Sequence, residues 1–357
     1  MNKIGKIEFK KLDRISPSQF YSIKKCAYKS LLAEAFERNP LLPISPNAYL
    51  GTVLHKVLEL ISKGVIKNEV EFKEKFDAEI FLMEEFLKQN GYGYFIPLIM
   101  NVRDFGRKKI QLKKHIRANS EPAKQQNGIK YHSEKWFESK DKLIGGKMDL
   151  VIETENEIEI IDFKTGAITE NFFDDDGESY QAVKIEYQEQ LKLYAYLYFD
   201  CKGKFPTRLC LIDLSKQRFN IDFTENECKI IFEEAKLILA EINSSVDSKV
   251  YNANPNENNC KFCLFRPACS FYLQYLKTEN ANNDIYGTIK EVIQYQNGNV
   301  SVFIETAKNK VTIVGFMSDK FEYFKKNRDK QICLFNLRKE STDLVYSVSI
   351  TTKIYEY

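Results

Sequence analysis

The sequence predicts an α/β protein: helices first, then a core of strands with interleaved helices, then a small all-β domain. Three observations predict it. Apolar residues recur at helical spacing over residues 16–120. The texture changes at Tyr131, where three consecutive strand-like runs appear. Beyond about Thr278 only strand-like runs remain. The 357 residues set a prior of one large or two to three ordinary domains, and 43% hydrophobic content is enough for a sizeable core.

Each element has its own signal. Ser16-Pro17-Ser18-Gln19 reads as a helix start, with Ser16 as N-cap, Pro17 in first position and Gln19 closing a capping box. This helix is expected to run to about Phe36 and to carry Cys26. Ser45-Pro46 repeats the signal. Leu50, Val53, Leu54, Val57, Leu58 and Ile61 follow at helical spacing, and Gly64 stops that helix. Another helix covers roughly Glu69 to Lys88, and a basic amphipathic segment follows over Val102 to Arg117. Strands are expected at 131–139, 143–152 and 157–164, with Glu155-Asn156 in a tight turn. Then come a helix from about Tyr180 to Cys201, strands at 207–214 and 217–223, and a helix over 224–243. Five strands are expected at the end: 285–293, 299–305, 310–315, 331–337 and 343–355. The expected domains are therefore 1–278, with a helical part at 16–120, a core at 130–245 and cysteines at 260–269, and 284–357, joined through Glu279 to Asp284.

Lysine plus arginine number 53 and acids 50, a formal charge of +3, which excludes a strongly basic tail-type binder. No apolar run reaches membrane-spanning length. Met1 to Lys10 lacks an apolar signal core, so a cytoplasmic protein without membrane partners is expected. Without an export signal, the eight cysteines argue against a disulfide framework.

The chemistry gathers around residues 144–166. Asp149 lies on one expected strand and Asp162 near the end of the next, so a hairpin between them brings their carboxylates together. Residues i and i+2 of a strand share a face, which puts Lys164 beside Asp162. Like charges buried without partners are costly. A hard divalent cation such as Mg²⁺ offsets that cost and keeps open positions for phosphate. A surface salt bridge between Asp162 and Lys164 is the plainer alternative. His55 sits amid apolar helical positions, where a satisfied core histidine is the ordinary reading. Gln190 and Tyr194, four apart, share a helix face in what could equally be an ordinary amphipathic helix.

Their order is more specific. Gly51-x3-His55-x2-Leu58-Glu59, Gly146-x2-Asp149-Leu150-Val151, Ile161-Asp162-Phe163-Lys164-Thr165-Gly166 and Tyr187-x2-Gln190-Leu191-x2-Tyr194-Ala195 follow one another. Over roughly residues 10–275 this resembles the RecB-like branch of the PD-(D/E)xK nucleases. That branch includes CRISPR-adaptation exonucleases and the nuclease lobes of bacterial helicase-nucleases. The resemblance implies a restriction-endonuclease-like core, a mixed sheet flanked by helices. It also implies Mg²⁺ or Mn²⁺ held by His55, Asp149, Asp162 and the Phe163 carbonyl, with Lys164 as the catalytic lysine. Gln190 and Tyr194 match the motif that supports the lysine and the scissile phosphate. Glu134 sits where some members carry an acid. The stretch Ala167 to Tyr180, with Asp174-Asp175-Asp176, departs from the pattern and reads as a solvated acidic loop or as a gate that repels DNA.

Cys260-x2-Cys263-x5-Cys269 supplies three thiolates where a tetrahedral ion or cluster wants four. Cys26, in a lysine-rich setting, is the candidate fourth. A pair of buried thiols is the ordinary reading of a lone C-x2-C. The same nuclease branch has a subgroup with one cysteine before the nuclease motifs and three after, which implies a structural [4Fe–4S] cluster; zinc is the chemical competitor. Cys201, Cys210, Cys228 and Cys333 read as core residues.

DNA is the expected partner, as a single strand or tailed duplex. Candidate phosphate contacts are the basic residues of Met1 to Lys29 and a segment holding Arg103, Arg107, Lys108, Lys109, Lys113, Lys114 and Arg117. Either charge run could instead be a solvated face. A barrel resembling an OB-fold is one reading of the C-terminal strands, and a partner-docking role is another. No Walker-type string occurs, so a helicase or a defence-system component would be a separate partner. The expected function is a metal-dependent DNA nuclease, most simply an exonuclease, in DNA repair, CRISPR adaptation or phage defence. The alternatives are a non-catalytic DNA-binding or assembly subunit of a helicase-nuclease complex and a zinc-stabilised structural protein.

Overall fold

The computed structural model describes residues 2–119, 129–173, 179–279 and 281–357. The chain divides into two compact units. One comprises Leu12–Lys24 and Ser45–Asn243; the other comprises Met1–Lys11, Lys25–Ile44 and Ser244–Tyr357. This division does not follow a boundary at 278–284, because the cysteine segment packs into the same unit as the C-terminal strands.

The first unit is built on a five-stranded mixed sheet. Its order is Lys130–Glu138, Gly145–Glu153, Ile158–Lys164, Arg208–Asp213 and Arg218–Asn220. Ile158–Lys164 runs parallel to Arg208–Asp213, and the other pairs are antiparallel. The expected tight turn is present: Thr154 N–H donates to Glu157 O at 2.8 Å. The parallel pair requires a crossover, supplied by the Ile185–Lys202 helix, which ends on Gly203 in left-handed conformation at φ 72°.

The Pro46–Ser62 helix begins with proline after Ser45 and buries the apolar stripe read from the sequence. The Glu69–Gln89 helix is capped by Asn68, whose side chain accepts from the Val70 and Glu71 amides. Both contribute to one core cluster with Leu112 and Ile116 of the Phe105–Asn119 helix.

The sequence reading differs from the structure in several places. The first helix breaks into Pro17–Lys25 and Ala27–Ala35, because Cys26 is extended at φ −161°, ψ 97°. Tyr180 does not start a helix. Ser179–Val183 pairs with Thr169–Phe173 in a hairpin, with the Phe172 and Tyr180 rings stacked 5.8 Å apart. Cross-strand pairing overrides helix propensity there. The Asp174-Asp175-Asp176 stretch lies outside the described residues.

The second unit holds an eight-stranded sheet. Ile285–Gln294, Val300–Glu305 and Lys310–Phe316 form an antiparallel meander. Gln331–Phe335 pairs antiparallel with the first of these. The expected last strand is split: Val345–Ser347 pairs parallel to Lys310–Phe316, while Lys353–Glu356 pairs antiparallel to Gln331–Phe335. A short helix, Phe321–Lys326, unforeseen from sequence, buries Phe324 in the core with Ile289, Val302 and Leu334. Six residues are too few for a periodic signal. No helix among the described residues is long and apolar enough to cross a membrane.

Candidate active site and cysteine pocket

Three adjacent strands each bring one acid to the same face. Leu150 pairs with Ile161 and Val151 with Ile160, which sets Asp149 against Asp162 at the next step of the ladder. On the other side Ser133 faces Leu150 and Lys135 faces Met148, which sets Glu134 against Asp149. Opposed residues share a face, so the three acids form a row. Glu134 takes left-handed backbone, φ 54°, a conformation that costs of order 1 kcal/mol or more away from glycine.

His55 arrives from the Pro46–Ser62 helix. A Cβ at Gly51 would lie 3.3 Å from Thr165 Oγ1, so the missing side chain lets this helix approach the end of the Ile158–Lys164 strand. One turn later His55 Nε2 lies 3.2 Å from Asp149 Oδ2, and Nδ1 lies 4.0 Å from Glu134 Oε1. His55, Glu134 and Asp149 each offer a ligand atom within 4.8 Å of the others. The Asp149 hydrogen bond raises the His55 pKa against the opposing effect of burial; the Glu134 and Asp162 charges add to the rise. Asp149 Oδ2 also accepts the Phe163 amide at 2.8 Å.

Asp162 and Lys164 form a salt bridge, but not a surface one. Their side chains are 7% and 17% exposed, and Lys164 Nζ lies 2.6 Å from Asp162 Oδ2. Burial pushes the Asp162 carboxyl up to about 6; the Lys164 charge opposes this and the Asp149 charge reinforces it. Gln190 closes a ring with this pair: Lys164 donates to Gln190 Oε1 at 2.9 Å, and Gln190 Nε2 donates to Asp162 Oδ1 at 3.2 Å. Tyr194 does something different. Its hydroxyl donates to the Lys147 carbonyl at 2.9 Å, which braces the Asp149 strand. Gly146 makes room for it, since a Cβ there would sit 3.1 Å from Tyr194 Cε1 and 2.8 Å from Pro17 Cδ.

Two neighbours escaped the sequence reading as site residues. Lys147, two residues before Asp149, carries its ammonium to Glu134 Oε2. The i, i+2 rule that placed Lys164 would have found it. Tyr187 lays its ring 4.5 Å from Lys164 Nζ. Asp162 Oδ2 and Glu134 Oε2 are buried, and each has an ammonium beside it, from Lys164 and Lys147 respectively.

The basic segment forms the Phe105–Asn119 helix and is only partly available. Lys109 pairs with Asp77 at 3.2 Å and Lys113 with Glu69 at 2.7 Å. Arg103, Arg107 and Lys114 are exposed and Lys108 is half-buried; the Arg117 side chain lies outside the described residues.

In the second unit, Cys26, Cys260, Cys263 and Cys269 line one pocket together with Lys29, Arg266 and Tyr272. Cys26 occupies the N-cap position of the Ala27–Ala35 helix without a side-chain capping bond, and Cys269 caps Ser270–Thr278, accepting from the Tyr272 amide at 3.4 Å. The positive end of a helix dipole favours a thiolate at such positions. Burial acts against it, pushing the Cys260 thiol up to about 11 and Cys269 to about 12.

The match to known families follows this geometry. The PD-(D/E)XK nuclease superfamily model matches residues 14–270, a span that contains both the acidic row and the cysteines. The chain belongs to the PD-(D/E)XK nuclease superfamily. No curated protein matches it. Among solved structures, one described as "Structural mimicry for functional antagonism" aligns over 65% of this chain and 97% of that one, at 9% identity and a TM-score of 0.19. For a PD-(D/E)XK nuclease fold, the mixed sheet with its acids opposed on neighbouring strands and its lysine at the end of one is the part that bears on chemistry.

Proposed function

We propose that this PD-(D/E)XK protein is a metal-dependent deoxyribonuclease of the RecB-like branch, acting as an exonuclease on single-stranded or tailed DNA. One observation carries the reading. The row Glu134, Asp149 and Asp162 lies beside His55, and His55, Glu134 and Asp149 each offer a ligand atom within 4.8 Å of the others. Such a donor set suits a hard divalent ion. His55, Asp149 and Asp162, with the Phe163 carbonyl, would hold Mg²⁺ or Mn²⁺, and Glu134 stands beside them. A bound ion of this kind polarises the phosphodiester and lowers the pKa of water.

The remaining work falls to side chains already in place. Lys164 orients the attacking water. Gln190 fixes the lysine, and Tyr194 keeps the Asp149 strand in register. In-line attack then leaves a 5′-phosphate and a 3′-hydroxyl. Anaerobically purified protein should cleave DNA with Mg²⁺ or Mn²⁺, and Lys164→Ala should lose at least about a hundredfold in rate. Equal rates for the two would sink the reading. A wild type that binds DNA and never cuts it would instead mark a non-catalytic subunit of a helicase-nuclease assembly.

The cysteine pocket supports a [4Fe–4S] cluster. Four thiols lining one pocket give the four ligands that either a cluster or a tetrahedral zinc takes, and the resemblance favours the cluster. The cluster would tie Cys26 to the 260–269 loop within one unit. Purified protein is expected to contain iron and sulfide and to absorb in the visible. Cys269→Ser should lose most of both, whereas zinc in place of iron in the wild type would contradict the cluster. The meander, the parallel 345–347 pairing and the intervening helix support an OB-like reading of the C-terminal strands. DNA repair, CRISPR adaptation and phage defence are settings that fit such a nuclease, with a helicase as separate partner.

A further inference from the structure

Lys164 is the group on which the proposed chemistry turns, and two of its neighbours are accounted for. Its ammonium has three donors. One side meets Asp162 Oδ2 at 2.6 Å and another meets Gln190 Oε1 at 2.9 Å. A third side meets the ring of Tyr187, whose centroid is 4.5 Å from Nζ. Tyr187 lies on the Ile185–Lys202 helix, three residues before Gln190, so ring and amide present one helix face to the lysine. Its other cationic neighbour is Lys184, at 5.6 Å from the ring centroid.

The hydroxyl of Tyr187 makes no hydrogen bond to any of the described residues, whereas those of Tyr194 and Tyr198 do. The aromatic face is therefore what Lys164 uses. A cation over an aromatic ring is attracted by its quadrupole, and the attraction grows as water is excluded. With the lysine side chain 17% exposed, this contact is partly desolvated.

We infer that Tyr187 is a positioning residue: its ring face forms the third wall that holds the Lys164 ammonium where it orients the attacking water. The assignment rests on the nuclease reading and deepens it. Without the ring, the long lysine side chain keeps its two polar contacts but gains freedom to swing toward solvent. The phenol oxygen is dispensable.

The test compares Tyr187→Phe and Tyr187→Leu with the wild type in steady-state cleavage of a single-stranded substrate, alongside thermal unfolding. The phenylalanine variant should keep wild-type kcat. The leucine variant should lose about tenfold in kcat, the scale of one partly desolvated cation–π contact, with KM unchanged. A leucine variant with wild-type kcat, or a phenylalanine variant as slow as the leucine one, would overturn the role. A fall in kcat that follows a fall in melting temperature in both variants would also overturn it, since that marks packing alone. If the wild type itself cuts nothing, the failure belongs to the nuclease reading and not to Tyr187.

Discussion

Asp162→Asn is expected to lower kcat about a thousandfold or more, the scale seen when one member of an interdependent catalytic set is removed. The substitution changes little else. Asparagine keeps the shape of the side chain and an oxygen that can accept from Gln190 or Lys164. It removes the negative charge that sits 5% exposed between Lys164 and the Asp149 carboxylate. In the wild type, two buried acids and a histidine with raised pKa make an arrangement that a cation stabilises. Metal binding should therefore appear as stability. At a hundred times its dissociation constant, an ion that binds only the folded state adds about 2.7 kcal/mol. The wild type should melt higher with Mn²⁺ than with chelator, and Asp162→Asn should show little of that rise. A variant that keeps both activity and the metal-dependent rise would remove Asp162 from the site.

The largest effect on stability is expected from a different part of the chain. Within the second unit, Arg266 is 2% exposed and Asp284 fully buried. Arg266 Nε donates to Asp284 Oδ2 at 2.6 Å, Nη2 to Asp284 Oδ1 at 3.2 Å, and Nη1 to the Cys263 carbonyl at 3.0 Å. Tyr272 and the Asn336 amide complete the Asp284 shell at 2.8 Å each. The cysteine loop and the C-terminal strands thus share one buried charge pair. Asp284→Ala strands the arginine, and losing one partner of such a pair costs about 3–5 kcal/mol. Removing both charges, in Arg266→Met with Asp284→Leu, should recover most of the loss. Hydrogen exchange of the 285–294 amides reports it directly, because those amides should exchange faster in the single variant and return toward wild type in the double. A single variant with unchanged exchange would show that the pair holds nothing together.

The part of the chain that carries the acidic row was legible because its local structure depends on short-range rules. Strand alternation put Asp162 and Lys164 on one side, a four-residue turn fixed the hairpin register, and the Ser-Pro signals started helices where they start. The contacts that crossed elements were harder. Glu134 reaches Asp149 only through the pairing of Lys130–Glu138 with Gly145–Glu153, and its left-handed backbone has no sequence signature. The 169–183 hairpin hid behind a helix-like run because Phe172 and Tyr180 find each other only once folded. The break at Cys26 was also invisible, although it places a helix N-terminus at that sulphur. Tyr187 stood in plain view in the Gln190 motif, yet nothing in its spacing distinguishes a ring that packs a core from one that faces an ammonium.

The most direct measurement is cleavage of end-labelled single-stranded and tailed DNA by anaerobically purified wild-type protein, with Mn²⁺ or Mg²⁺ and then with chelator. The proposed site predicts products ending in 5′-phosphate with either ion, none with chelator, and recovery when the ion is restored. Cleavage that continues undiminished in chelator, or none under any of these conditions, would contradict it.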